Sequence, residues 1–166
     1  MKITDFMPRA GFLETQLTGN DLVGAEIGVD VGSHAESLLI NCDIKKLYLI
    51  DPWYEDFYFG FCKGRILSKG YMNKTEFIRE TSIQAVERFK NNSLDFIYFD
   101  QKQDYDTVSI DIAAWYPKLK TGGCVVWRGY KDYLGMKDAI DEFLKYGKNY
   151  KSVMDDWTRE IVIWKE

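Results

Sequence analysis

Short apolar runs alternate with stretches of helical period along this chain. The first run, "LVGAEIGV" (22–29), is apolar at nearly every position. That is the character of a strand covered on both faces in a parallel sheet, not of one with a wet face. After "DVGS", residues 34–41 read as a helix with Ser33 at its N-cap, and "KKLYLID" (45–51) reads as a second strand ending on Asp51. A third strand, "TEFIRE" (75–80), precedes a helix over 82–90, and a fourth, "LDFIYFD" (94–100), ends on Asp100. From Tyr105, the residues Val108, Ile112, Trp115 and Leu119 recur at helical spacing, so a helix capped by Asp104 or Asp106 should run to just before Pro117. "KTGGCVVW" (120–127) turns through glycines into a fifth strand, and Met136, Ile140, Phe143 and Leu144 share one face of a helix over 134–146. "NYKSVMDDWTREIVIWKE" (149–166) reads as two closing strands around an Asp-Asp-Trp-Thr turn.

The segment 52–74 fits neither period, because "PWYEDFYFGF" crowds aromatics together. It is expected to be a long connection with its own packing, containing a short helix within "CKGRILSKGYMNK" (62–74). The aromatic residues 53–61 could form a lid over a ligand, pack beneath the sheet, or meet a second copy of the chain. The pattern as a whole predicts an α/β fold: five strands in β–α alternation, then an antiparallel pair.

Composition narrows the class without changing the architecture. A chain of 166 residues, 46% hydrophobic and 29% charged, suits one soluble globular domain spanning 1–166. The net charge of −4 has basic residues interspersed among acidic ones, which gives no support to generic nucleic-acid or membrane binding and favours a small-molecule or protein partner. Cys42, Cys62 and Cys124 are too scattered for a disulfide framework or a zinc knuckle, and neither a leader nor a membrane-length apolar run is evident, so a cytoplasmic location is expected.

In doubly wound sheets ligands bind beyond the carboxyl ends of the strands, so the residues that finish each strand carry the candidate chemistry. Glu26, Gly28 and Gly32 form an acidic-x-Gly-x-x-x-Gly loop entering a helix, and Asp51 follows at the interval where a second-strand carboxylate meets ribose hydroxyls. A dinucleotide loop brings pyrophosphate onto backbone N–H groups. Here Val29 follows Gly28, and Asp30 occupies a glycine position where its carboxylate would repel phosphate. S-adenosylmethionine carries a sulfonium and an ammonium, which an acidic loop attracts. The bland alternative is that Gly28 and Gly32 merely permit a tight turn.

"GAEIGVDVGSHAESLL", "KKLYLIDPW", "SLDFIYFDQKQDYDTVSIDIAAWYPKLKTGG" and "GMKDAIDEF", in order over residues 20–146, resemble the class I S-adenosylmethionine-dependent methyltransferases and in particular methyltransferase family 24. The resemblance implies a Rossmann-like, mostly parallel seven-stranded sheet of order 3-2-1-4-5-7-6 with helices on both faces. S-adenosylmethionine would be the methyl donor and S-adenosylhomocysteine (SAH) the product. It also implies that Glu26, Gly28, Val29, Asp30 and Gly32 cradle the methionine part, that Asp51 with Pro52 and Trp53 borders the ribose, that Thr81 and Ser82 lie near the adenine, and that Asp100 stands at the pocket edge.

The departures from the family pattern concern the reacting end. Members follow the fourth strand with Asp-x-x-His-x-Tyr and end the fifth with Gly-His-Asp-Tyr, whereas this chain has Asp100-Gln-Lys-Gln103-Asp-Tyr105 and Trp127-Arg128-Gly129-Tyr130. A hard divalent cation needs several oxygen ligands and little competing positive charge. With Lys102 and Arg128 beside Asp100, no bound metal is expected. Lys102 and Arg128 could instead hold an anionic acceptor, or Arg128 could simply pair with Asp100 and Lys102 be solvated. Asp100 or Asp104 could accept a proton and Tyr105 or Tyr130 orient a nucleophile, against bland roles in capping and packing. His34, the single histidine, is expected at a surface or cap, and no Gly-x-Ser-x-Gly elbow points to a hydrolase. Three readings stay open: a metal-independent methyltransferase acting on a small acceptor, whose pocket a homo-oligomer or partner protein could complete; a catalytically silent cofactor-binding or interaction module; and a nicotinamide oxidoreductase, which the missing phosphate loop and Asp30 disfavour.

Overall fold

The computed structural model describes residues 11–147 and 150–166. Asn149, placed above in the first closing strand, lies outside them. Among the described residues seven strands form one sheet of order β3-β2-β1-β4-β5-β7-β6. These are β1 (Leu22–Ile27), β2 (Ile44–Ile50), β3 (Thr75–Ile78), β4 (Leu94–Phe99), β5 (Leu119–Arg128), β6 (Tyr150–Met154) and β7 (Glu160–Lys165). The first five pair in parallel, and β7 runs antiparallel between β5 and β6. Strand order reverses between β1 and β4, the crevice where such sheets take their ligands.

The apolar runs are continuous because both faces are covered. Along β4, Ile97 and Phe99 face one core with Trp115, Trp127 and Ile140, while Phe96 and Tyr98 face the other with Leu38, Leu49 and Cys62. The first core lies under α4 (Ser82–Ala85), α5 (Tyr105–Trp115) and α6 (Leu134–Tyr146), and the second lies under α1 (Phe12–Gln16), α2 (Ser33–Asn41) and α3 (Asp56–Ser68). Asp104 caps α5 by accepting from the Thr107 backbone N–H at 3.1 Å, one of the two caps expected. A single 3₁₀ turn over Tyr116–Lys118 then absorbs Pro117.

Three elements differ from the sequence expectation. The helix of the aromatic segment is long and starts early: α3 opens at Asp56, buries Cys62 and Ile66, and leaves Phe57 and Phe61 exposed. The helix expected over 82–90 is only one α-turn, Ser82–Ala85, followed by a 3₁₀ turn over Val86–Arg88. Ser33 begins α2 as its first residue, and the N-cap is Gly32, whose left-handed φ of 75° a serine side chain rarely adopts. No helix among the described residues is long and apolar enough to cross a membrane.

Candidate cofactor and acceptor site

The tips of β1 and β4 approach so closely that one position admits no side chain. Gly28 has φ +85°, and a Cβ there would lie 2.3 Å from the Asp100 carbonyl oxygen. Backbone bonds from Gly28 N–H to Ile50 O and from Asp100 N–H to Ile27 O, both 2.9 Å, lock the three strand ends in register. At Gly32 a Cβ would sit 2.7 Å from Cys62 Sγ, so α3 closes against the loop from behind.

Asp51 joins this loop to the next. Its Oδ2 accepts from the Asp30 N–H at 3.0 Å and its Oδ1 from the Trp53 N–H at 2.7 Å, while Trp53 Nε1 donates to Asp30 O at 2.8 Å. Asp30 (φ 50°) and Trp53 (φ 38°) are both non-glycine residues in the left-handed region. Such strain persists only where surroundings over-determine it, and the Asp51 carboxylate supplies that constraint for both loops. Each of its oxygens keeps a lone pair for a further donor. Pro52 is half-buried next to it and Trp53 is buried.

A cavity of about 750 Å³ opens along the β1 loop toward β7. Gly28, Val29, Asp30 and Ser33 form one side, Tyr98, Asp100 and Arg128 the floor, and Glu14, Glu26, His34 and Glu160 the inner end. The His34 ring stacks on Tyr98 at 3.7 Å and lies with Nδ1 3.4 Å from Glu26 Oε2 and Nε2 3.9 Å from Glu14 Oε2. Ser37 Oγ donates to Glu14 Oε1 at 2.6 Å and Tyr98 OH to Glu160 Oε1 at 2.8 Å. The Oε2 atoms of Glu14, Glu26 and Glu160 and both His34 ring nitrogens are buried without a hydrogen-bond partner. Burial raises the carboxyls of Glu26 and Glu160 above the usual range. Burial alone would lower the His34 imidazole, but the carboxylates of Glu26, Glu14 and Glu160 outweigh it and leave that group raised.

The residues of the altered loops are mutually paired. Arg128 Nη1 contacts Asp100 Oδ2 at 2.8 Å, and Lys102 Nζ contacts Asp104 Oδ2 at 2.9 Å. Lys102 is exposed and lies outside the cavity, so it does not join Arg128 around a shared anion. Gln103, standing where the family has histidine, donates from Nε2 to the Arg128 carbonyl at 3.0 Å and ties the β4 and β5 loops together. Tyr105 is hydrogen-bonded to Glu142 in a groove between α5 and α6, and Tyr130 to Asp141. Thr81 forms a capping box with Gln84. Ser82 is buried, donating to Asp111 Oδ1 at 2.5 Å and accepting from Trp115 Nε1 at 2.8 Å. His34 is neither a cap nor a surface group, and Glu14 and Glu160 were not singled out in the sequence. A lone acidic residue opening an apolar strand, as in "REIVIW", is the signal that could have found Glu160.

A loop of this shape at the reversal of a 3-2-1-4-5-7-6 sheet defines the class I methyltransferases, and comparison with known proteins agrees. The model of a methyltransferase domain, family 24, matches residues 25–128. The chain belongs to that S-adenosylmethionine-dependent family. No curated protein matches by sequence. Solved structures share the fold at low identity. A Corynebacterium glutamicum protein is 19% identical with TM-score 0.75, covering 92% of this chain and 76% of its own. A Streptococcus mutans protein described as a methyltransferase, in complex with SAH, is 15% identical with TM-score 0.71, covering 92% and 93%. An rRNA methylase from Streptococcus thermophilus is 16% identical with TM-score 0.70, covering 92% and 91%.

Proposed function

We propose that this protein transfers the methyl group of S-adenosylmethionine to a small acceptor held in the cavity between the β1 loop and β7, without a metal ion. The observation that carries the reading is the seating of Gly28 against the Asp100 carbonyl beside the buried Glu26, which faces only His34. This acidic cradle suits a cationic cofactor and opposes pyrophosphate. The donor supplies a methyl group on a sulfonium, and the residues do the rest by positioning, which transfer to an aligned nucleophile chiefly requires. Glu26, Gly28, Val29, Asp30 and Gly32 hold the methionine part, and Asp51, Pro52 and Trp53 border the ribose. Thr81 and Ser82 spend their side chains on internal bonds, so adenine contact from that loop falls to backbone groups. Lys102 and Tyr105 stand outside the reacting centre, and Asp100 with Arg128 forms its floor.

Metal independence is supported by the tie between Asp100 and Arg128. In addition, no group of three or more His, Cys, Asp or Glu among the described residues is arranged to hold an ion. A small acceptor is supported by the cavity's acidic lining, which would repel a nucleic-acid phosphate.

Calorimetric titration with SAH and, in parallel, NAD tests the assignment. SAH is expected to bind and NAD not to, and the reverse result overturns it. Asp51→Ala should weaken SAH at least tenfold, about 1.4 kcal/mol, by releasing both strained loops and losing ribose contacts. Unchanged affinity removes Asp51 from the site. A second reading, a silent cofactor-binding module, is favoured by one observation: Asp100, Tyr105 and Tyr130, the candidate proton acceptors and orienters, are all already bonded within the protein. It requires SAH binding with no enzymatic SAH formation from S-adenosylmethionine, so turnover with any acceptor rules it out.

A further inference from the structure

The cavity holds more negative charge than the cofactor needs. Among the described residues its lining contains five acidic side chains, Glu14, Glu26, Asp30, Asp100 and Glu160, against two basic ones, Arg128 and His34. Arg128 is already held by Asp100. At the inner end three carboxylates surround one imidazole, and Glu14, Glu26 and Glu160 are 7%, 1% and 4% exposed. Each has one oxygen with no hydrogen-bond partner. The free oxygens of Glu26 and Glu14 lie 3.4 and 3.9 Å from the two His34 ring nitrogens, so one imidazole is shared between two carboxylates while Glu160 Oε2 has no donor. A buried carboxylate oxygen left unpaired costs the desolvation of the group, and this under-supplied cavity end is a place where donors can come from outside.

We infer that the inner end formed by Glu14 and Glu160, the two carboxylates flanking His34, recognises a positively charged amine group of the methyl acceptor. The inference deepens the methyltransferase reading and rests on it for the word acceptor. The cofactor does not account for these residues. Glu26, on the β1 loop, is enough for the cofactor's own ammonium, whereas Glu14 on α1 and Glu160 on β7 come from elements outside the cofactor loops. They would also repel the cofactor's carboxylate. The described residues do not present a metal-binding group, which favours an organic cation over a metal ion here. An ammonium fits, because it brings several N–H donors and a charge that offsets the surplus. Trp157, 89% exposed on the cavity lining, adds an aromatic face that attracts organic cations. An anionic acceptor, the other use considered for these loops, would need Lys102 and Arg128 free, and both are paired with aspartates.

The probe is 1,4-diaminobutane, titrated calorimetrically into the full chain with and without saturating SAH, with 1,4-butanediol and succinate as neutral and anionic counterparts. The diamine alone should bind the SAH-loaded protein. Glu14→Gln and Glu160→Gln should each weaken it at least tenfold while SAH affinity stays within twofold. The exposed control Asp106→Asn should leave both unchanged. Thermal melts establish that each variant folds, and where Glu14→Gln does not, Glu160→Gln carries the test. The inference is overturned if the diamine gives no binding to protein that binds SAH, if succinate binds as well, if SAH displaces the diamine, or if the glutamine variants behave like Asp106→Asn. Should SAH itself fail to bind, the cofactor reading falls, and the titration of the free protein still decides whether the amine site exists.

Discussion

Gly28→Ala is expected to abolish measurable SAH binding and to destabilise the fold by about 3 kcal/mol, or roughly 6–12 °C in Tm for a chain of this size. Two penalties combine. An alanine at φ +85° costs about 1 kcal/mol in backbone conformation alone. Its Cβ would also stand 2.3 Å from the Asp100 carbonyl oxygen and 2.9 Å from the Gln101 nitrogen, both backbone atoms that no rotamer change can move. Relief requires the tips of β1 and β4 to part, which strains the bond from Asp100 N–H to Ile27 O. Gly70→Ala separates the two penalties. Gly70 has nearly the same φ, +76°, but open space where its Cβ would project, so it should lose only about 1 kcal/mol. Chemical denaturation of the two variants side by side measures the difference. Equal losses would mean that the strand tips are not in close approach, and the cradle would lose its physical basis.

What the chain reveals of itself depends on how local the cause is. The five parallel strands were legible because burial on both faces writes itself as an unbroken apolar run, and the helix from Tyr105 because Val108, Ile112 and Trp115 share one buried face. α3 was not legible. Its buried residues, Cys62 and Ile66, are few, and its exposed face carries Phe57, Tyr58 and Phe61, residue types that favour strands. Tertiary closure of Cys62 onto Gly32 selects the helix there. The cofactor side of the site could be read because Gly28, Asp51 and Asp100 each finish a strand, and strand ends converge by topology. The inner end could not. Glu14 and Glu160 lie near opposite ends of the sequence and come together only because β7 inserts between β5 and β6. Neither has a local pattern that foretells a partner 146 positions away (160 − 14).

Asp111→Asn is expected to stabilise the protein at pH 7 by up to about 3 kcal/mol and to make little difference at pH 4. Asp111 is 2% exposed beneath the loop that follows β4, and burial pushes its carboxyl up to about 6 from an ordinary 3.8, despite donors from Ser82 and Gln101. Between those two values the folded chain keeps a proton that the unfolded chain releases. Stability therefore falls as pH rises through this window and levels off above it, the two-unit gap being worth about 3 kcal/mol. Asparagine removes the titration and keeps the geometry. Ser82 still donates to its oxygen, and the Gln101 amide can turn to accept from its NH₂. Urea denaturation of both proteins at pH 4 and 7 isolates the group, because every other carboxylate is common to both. An equal difference at the two pH values would show that Asp111 titrates normally. The same variant addresses why the chain tolerates such a cost. Gln101 follows Asp100 directly, so its bond to Asp111 holds the loop that forms the floor of the cavity. If Asp111→Asn gains stability but loses SAH affinity, the ionised carboxylate is kept to aim that loop. If it gains stability and binds SAH unchanged, the bond from Gln101 is packing alone, and the floor is held by Arg128 and Gln103.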